Sequence, residues 1–175
     1  MNKKNLVILG ANSFIASNFI KNYSNYSIKA TTRKIVNYQN NNNFTWHVCD
    51  LESKKDLLQI LDEGDIVINC TYSNDGISSN INMIKNIVEC ANEKNINKLI
   101  HLSSAVVVGS QPNDNIEEGV SCNPQTQYQK DKLDIETVLL EKELNFNLTI
   151  LRPTAVFGMG GKNLATTIGS VKINN

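Results

Sequence analysis

Short apolar runs alternate with helical patterns along this chain. NLVILG (5–10) is an apolar run closed by a glycine and reads as a buried strand. SIKATT (27–32) and FTWHVC (44–49) read as two more strands. DIVINCT (65–71), KLIHLSSAVVV (98–108) and NLTILRP (147–153) follow, rich in Ile, Leu and Val. Near-continuous apolar strands suit a parallel sheet, because such strands are shielded from water on both faces. Over 80–94, Ile81, Ile84, Ile87, Val88 and Ala91 recur at helical spacing and predict one apolar helix face. Over 125–143, Leu133, Val138 and Leu140 mark another helix, with Asn123-Pro124 at its start. Shorter helices are predicted over 13–22 and 53–61. The order β-α-β-β-α-β-α-β-α-β predicts an α/β fold with a doubly wound parallel sheet of Rossmann type. No internal repeat or linker interrupts it.

Composition narrows the class of protein. The 175 residues suffice for one core, and 41% hydrophobic against 19% charged residues suits an ordered domain. The 17 basic and 17 acidic residues balance with no basic block, which argues against a nucleic-acid partner. The asparagine run Asn40 to Asn43 reads as a surface loop. Cys49, Cys70, Cys90 and Cys122 show no CxxC spacing, and only His47 and His101 could join them, so no metal site is expected. Most of these thiols sit in apolar runs, where cysteine behaves as a small buried hydrophobe. MNKKNLVILG is basic and then apolar, but its apolar part is too short for a signal peptide or a membrane span. A reducing, cytoplasmic setting without a membrane partner is the expectation.

The first strand ends in VILGANSFIASNFI. There Gly10 allows a tight turn, and the helix after it offers N–H groups and partial positive charge to a pyrophosphate. A GxxGxxG pattern would fall on Gly10, Ser13 and Ala16. Ala16 is a mild change, because that position needs only close helix–strand packing. Ser13 is a larger one, since its side chain must fit where backbone normally approaches phosphate; its hydroxyl could donate a hydrogen bond instead. A plain strand–turn–helix remains the competing reading of this segment alone.

Later pieces add chemistry. QTQYQKDKLDIE (125–136) places Tyr128 and Lys132 four residues apart, on one face of a helix. With GANSFIA, CDL (49–51), INCTY (68–72), HLSSAVVVG (101–109), IEEGVSCNPQTQYQKDKLDIE (116–136) and LRPTAVFGMGG (151–161), it stands in family order along nearly the whole chain. In these motifs the chain resembles the extended short-chain dehydrogenase/reductases, the NAD(P)-dependent epimerase/dehydratase family that acts on nucleotide sugars.

The resemblance implies a catalytic centre of Ser104, Tyr128 and Lys132. Lys132 would lower the tyrosine pKa from about 10, together with the positive nicotinamide ring, so that Tyr128 exchanges the hydroxyl proton as hydride moves. Lys132 would also hydrogen-bond the nicotinamide ribose. Ser104 would bond the substrate oxygen and stabilise its developing charge. Ser103 competes for that role, but Ser104, Val107 and Gly109 fit the family's Ser/Thr-x-x-Val-x-Gly pattern. Val108 stands where the family often has Tyr. Ala105 and Val106 occupy the positions of the acidic pair used by the family's dehydratases, and neither moves a proton. Hydride transfer alone is left, as in a C4 epimerase or a ketosugar reductase; the alternative reading is a non-catalytic NADP-binding sensor or regulatory module of the same fold.

For the cofactor, the resemblance implies contacts from Gly10, Asn12, Ser13, Phe14 and Ile15 at the first turn. It implies Asp50 on the adenine amino group with Leu51 beside it. It places Cys70 and Thr71 under the adenosine ribose, and Pro153 near the nicotinamide, with Tyr128 and Lys132. Between Ala30 and Cys49 there is no Asp or Glu to hold a ribose 2′-OH, whereas Arg33 and Lys34 suit a 2′-phosphate. NADP is therefore favoured over NAD. Asn80 matches a family asparagine, Glu117-Glu118 reads as a surface or turn feature, and His47, His101 and Trp46 read as structural. The expected organisation is a dinucleotide-binding domain over 1–161 and the start of a truncated substrate-binding region over 162–175. Most of the family's C-terminal substrate lobe is absent from this chain, which reads as a fragment, a shortened protein or one completed by a partner. A nucleotide-sugar substrate and a homodimer through the helices over 80–94 and 125–143 are the expected partners.

Overall fold

The computed structural model describes residues 5–22, 26–34, 40, 44–111 and 116–158. The region expected over 162–175 and positions 41–43 of the asparagine run lie outside the described residues. The strands are β1 (Asn5–Leu9), β2 (Ser27–Thr32), β3 (Phe44–Val48), β4 (Ile66–Asn69), β5 (Lys98–Leu102) and β6 (Asn147–Leu151). The helices are α1 (Phe14–Asn22), α2 (Lys54–Ile60), α3 (Ile77–Glu93) and α4 (Gln127–Leu140). All strand pairs are parallel, in the order β3-β2-β1-β4-β5-β6. This is the doubly wound arrangement that the alternation of patterns predicts.

Alternate residues of β1 feed two cores. Leu6 and Ile8 pack with Ala16 of α1, Ile28 and Ala30. Val7 and Leu9 pack on the other face with Val67, Leu99 and the buried sides of α2, α3 and α4. In α3 the buried set is Asn80, Met83, Ile84, Ile87, Val88, Cys90 and Ala91, close to the predicted stripe.

Two expectations are corrected. The strand expected over 98–108 stops at Leu102 and gives way to a 3₁₀ turn, Ala105–Val108. The ladder with β6 ends at Leu102–Leu151, and the extended Ser104 caps the turn by accepting a hydrogen bond from the Val106 N–H. The apolar face of α4 is also not the one expected. Leu140 is 68% exposed, whereas Asp131, Lys132, Ile135, Glu136 and Leu139 are buried. Polar side chains can occupy that face because each has a partner there.

At the end of β6, Leu151, Val156 and Phe157 are exposed. Among the described residues no helix is long and apolar enough to cross a membrane.

Candidate functional site

The strand order reverses direction between β1 and β4, and their carboxyl ends open a cleft of about 410 Å³. In open α/β sheets this is where ligands bind, because the crossing helices leave on opposite faces. Gly10, at φ +73°, turns the chain from β1 toward α1. A Cβ there would lie 2.6 Å from Cγ2 of Thr71, so a side chain at this position would have to displace the Thr71 methyl. Such a cradle fits a dinucleotide diphosphate, which needs backbone N–H groups within reach.

Ser13 resolves the departure seen in the fingerprint. It is the N-cap of α1, its hydroxyl accepting from the Ala16 N–H at 3.4 Å, while its own N–H bonds the Gly10 carbonyl at 3.0 Å. Its hydroxyl also reaches the Cys70 thiol, whose pKa burial pushes up to about 12. The first-turn N–H groups of Phe14 and Ile15 have no intrahelical acceptor, as at every helix start.

Of the residues expected to hold a cofactor, Gly10, Asn12, Ser13, Arg33, Leu51, Cys70 and Thr71 line the cleft. Phe14, Ile15, Asp50, Tyr128, Lys132 and Pro153 do not. Asp50 closes its own turn, its carboxylate accepting from the Glu52 N–H at 3.0 Å. The Pro153 carbonyl accepts from the Ala105 N–H at 2.9 Å and ties the two strand ends together. Thr31, Thr32, Cys49, Tyr72, Ser73 and Met83 complete the lining, with Lys34 beside Arg33. The sequence reading assigned these six no cofactor role, although five of them lie at or within four residues of the carboxyl ends of β2, β3 and β4, where such sites are built. Arg33 is bound across the rim: its guanidinium meets the Asp75 carboxylate at 3.3 Å. Ser73 holds Asp75 in turn, and buried Asn80 braces Ser73 through its N–H and C=O.

Two of the candidate catalytic residues, Tyr128 and Lys132, touch Tyr72 of the cleft lining. α4 starts with a capping box between Thr126 and Gln129, which sets Tyr128 in its first turn. Tyr128 is about half exposed, and Lys132 one turn on is buried. The Lys132 ammonium donates to the Leu102 carbonyl at 3.3 Å and sits 4.9 Å from the centroid of the Tyr72 ring. Burial holds its pKa below the usual lysine value, opposed by Glu136 and Cys70. Ser104 is part-exposed after β5, whereas Ser103 is buried and its hydroxyl has no partner among the described residues. No hydrogen bond links Ser104, Tyr128 and Lys132 among the described residues.

The expected lowering of the Tyr128 pKa is not found in the protein alone; burial raises it. The reason is geometric. The ammonium is turned to Leu102 and the Tyr72 ring, and the positive nicotinamide ring that the expectation included is not part of the chain.

His101 is buried within the sheet, its Nδ1 paired with the Asn69 amide at 3.1 Å. Burial, then Lys132, lowers its pKa to about 3, so it is a neutral structural group. Arg152 grips the buried Glu136 carboxylate through Nε and Nη2.

The family model described as the NAD dependent epimerase/dehydratase family matches residues 6–173. The chain belongs to this family. Its fold is also that of solved members of the extended short-chain dehydrogenase/reductases. A UDP-N-acetylglucosamine 4-epimerase from Bacillus cereus is similar with a TM-score of 0.76 at 20% identity, over 92% of this chain and 62% of that one. One from Methanobrevibacter ruminantium M1, solved with UDP-N-acetylmuramic acid, gives 0.71 at 23%, over 87% and 55%. A mutant UDP-glucuronic acid 4-epimerase from Bacillus cereus, solved with NAD and a fluorinated UDP-glucuronic acid, gives 0.70 at 20%, over 85% and 55%. The chain spans between half and two thirds of the length of these structures. No curated protein matches it.

Proposed function

We propose that this chain is the cofactor-binding and proton-transfer part of a nucleotide-sugar oxidoreductase, a C4 epimerase or a ketosugar reductase. The observation that carries the reading is that Tyr128 and Lys132 lie one turn apart on α4 and both contact Tyr72, which lines the cleft at the sheet's switch point. The nicotinamide cofactor supplies hydride acceptance and donation when bound. Tyr128 moves the hydroxyl proton, Lys132 orients the nicotinamide ribose, and Ser104 bonds the substrate oxygen. Ser104 suits that role better than Ser103 because it is the accessible hydroxyl. Ala105 and Val106 offer no acid or base for elimination, which favours hydride transfer over dehydration.

NADP is the preferred cofactor in this reading. Arg33 and Lys34 line the cleft at the end of β2, where a 2′-phosphate needs cations. A homodimer through α3 and α4 belongs to the same reading.

Two measurements test it. Titration of the chain with NADPH and NADH should give binding of both, tighter for NADPH; a chain that binds neither is not a cofactor domain. Tyr128→Phe should then lower turnover of UDP-sugars by about 10²–10⁴-fold and leave cofactor affinity nearly unchanged. Unchanged turnover would remove Tyr128 from the chemistry.

A further inference from the structure

Tyr72, three residues past the end of β4, belongs to both parts of the site. It lines the cleft with Gly10, Ser13 and Thr71, whereas Tyr128 and Lys132 do not. Its ring meets the Tyr128 ring edge-on, with centroids 5.3 Å apart and planes at 78°. The Lys132 ammonium lies over its face. Its hydroxyl donates to Oδ2 of Asp131 at 3.3 Å, and Gln127 holds Oδ1 of the same carboxylate at 2.7 Å. Three separate interactions therefore fix one aromatic ring between a cleft and the two side chains that a ligand in that cleft would have to reach.

We propose that Tyr72 is a specificity-determining residue: it leaves the cleft open to a nucleotide diphosphate and closes the way from there to Tyr128 and Lys132 until its ring turns aside. The inference rests on the dinucleotide reading above. Turning the ring gives up an aromatic contact, a cation–π contact and a hydrogen bond together. A ligand that ends at the diphosphate needs no such displacement. A longer one does, and its apparent affinity falls by the fraction of molecules with the ring turned away. Lys132 also favours ligands of one chemistry. Apart from the ring, its acceptor among the described residues is the Leu102 carbonyl, so an ammonium with three donors is left to meet hydroxyl-bearing groups such as a ribose.

The test is calorimetric titration of the 175-residue chain, Tyr72→Ala and Tyr72→Phe, each with ADP, NADPH and NADH. Tyr72→Ala should bind the dinucleotides about tenfold tighter, because the ring no longer has to be displaced. Its ADP affinity should stay within about twofold, which also shows that the cleft is intact. Tyr72→Phe loses only the Asp131 bond and should gain about threefold for the dinucleotides. Dinucleotide binding that is unchanged or weaker in Tyr72→Ala overturns the proposal, as does a shift of equal size for ADP. Should Tyr72→Ala fail to fold, the dinucleotide association rate of Tyr72→Phe decides: faster supports the proposal, equal rejects it. A chain and variants that bind ADP but no dinucleotide reject Tyr72 as the obstacle and leave the cleft standing. If none of the ligands binds, the cofactor reading itself falls and takes this inference with it.

Discussion

Gly109 and Asn123 meet so closely that a Cβ on Gly109 would lie 1.8 Å from the Asn123 carbonyl oxygen. The two form an isolated parallel bridge, and the Asn123 N–H bonds the Val108 carbonyl at 3.0 Å. Gly109 closes the turn that Ser104 begins, and Asn123 lies three residues before the cap of α4. Their contact fixes the distance between the Ser104 turn and Tyr128. Gly109 is also at φ +67°, a conformation that costs other residues energy. Gly109→Ala should destabilise the chain by about 2–4 kcal/mol in urea unfolding. A change below about 0.5 kcal/mol would mean that the 120–124 segment is not pinned there.

Arg33 faces competition for any phosphate. Asp75 reaches it across the cleft rim, itself held by Ser73. Both partners are exposed, so the pair should matter for selectivity rather than for folding. Asp75→Asn should tighten NADPH about two- to fivefold and leave NADH unchanged. Arg33→Ala should remove the preference for NADPH. Equal effects on both cofactors would show that Arg33 does not read the 2′ position.

His101 predicts an acid sensitivity. Its folded pKa of about 3 lies below its ordinary value of 6.5, so the unfolded chain binds the proton first as pH falls. The native state is therefore at full stability above about pH 6.5 and loses stability between there and about pH 3. From pH 7 to pH 4.5 the loss from this group is about 2–3 kcal/mol. His101→Gln, which keeps an acceptor for Asn69, should flatten that part of the stability–pH curve. A curve parallel to that of the unaltered chain would show that His101 titrates normally.

The Arg152–Glu136 pair joins the end of β6 to α4. Glu136 is 1% exposed, and Arg152 grips its carboxylate with three hydrogen bonds of 2.6 to 3.2 Å. Arg152→Ala leaves that carboxylate buried without its hydrogen-bonded counter-ion, with only the charge of Lys132 nearby, and should cost about 3 kcal/mol. Adding Glu136→Met to Arg152→Ala should recover part of the loss, as replacing both charges removes the desolvation problem. Chemical unfolding of both variants reads this directly.

Much of the fold was legible from the order of patterns. β2 spans the predicted residues, and the other strands lie within the predicted runs, because parallel strands need apolar side chains on both faces. The run over 98–108 misled because Ala105–Val108 is as apolar as the strand before it; only the end of the ladder with β6 shows where pairing stops. α4 misled in the opposite way. Its buried face carries Asp131, Lys132 and Glu136, and apolar spacing cannot reveal polar groups that are buried because partners elsewhere in the chain receive them. The same limit hid Tyr72, whose neighbours Tyr128, Asp131 and Lys132 lie more than fifty residues away.

The sequence by itself determined the α/β order, the glycine turn after β1 and the Tyr128–Lys132 spacing, since each rests on local geometry: alternation, positive φ and the helical repeat. Only the tertiary structure decided where the charges point. Lys132 turns to Leu102 and Tyr72, Arg33 to Asp75, and Arg152 to Glu136. These are choices among partners brought together by the sheet order: the buried charges of Lys132 and Glu136 take partners that lower their desolvation cost, whereas exposed Arg33 pairs at the rim.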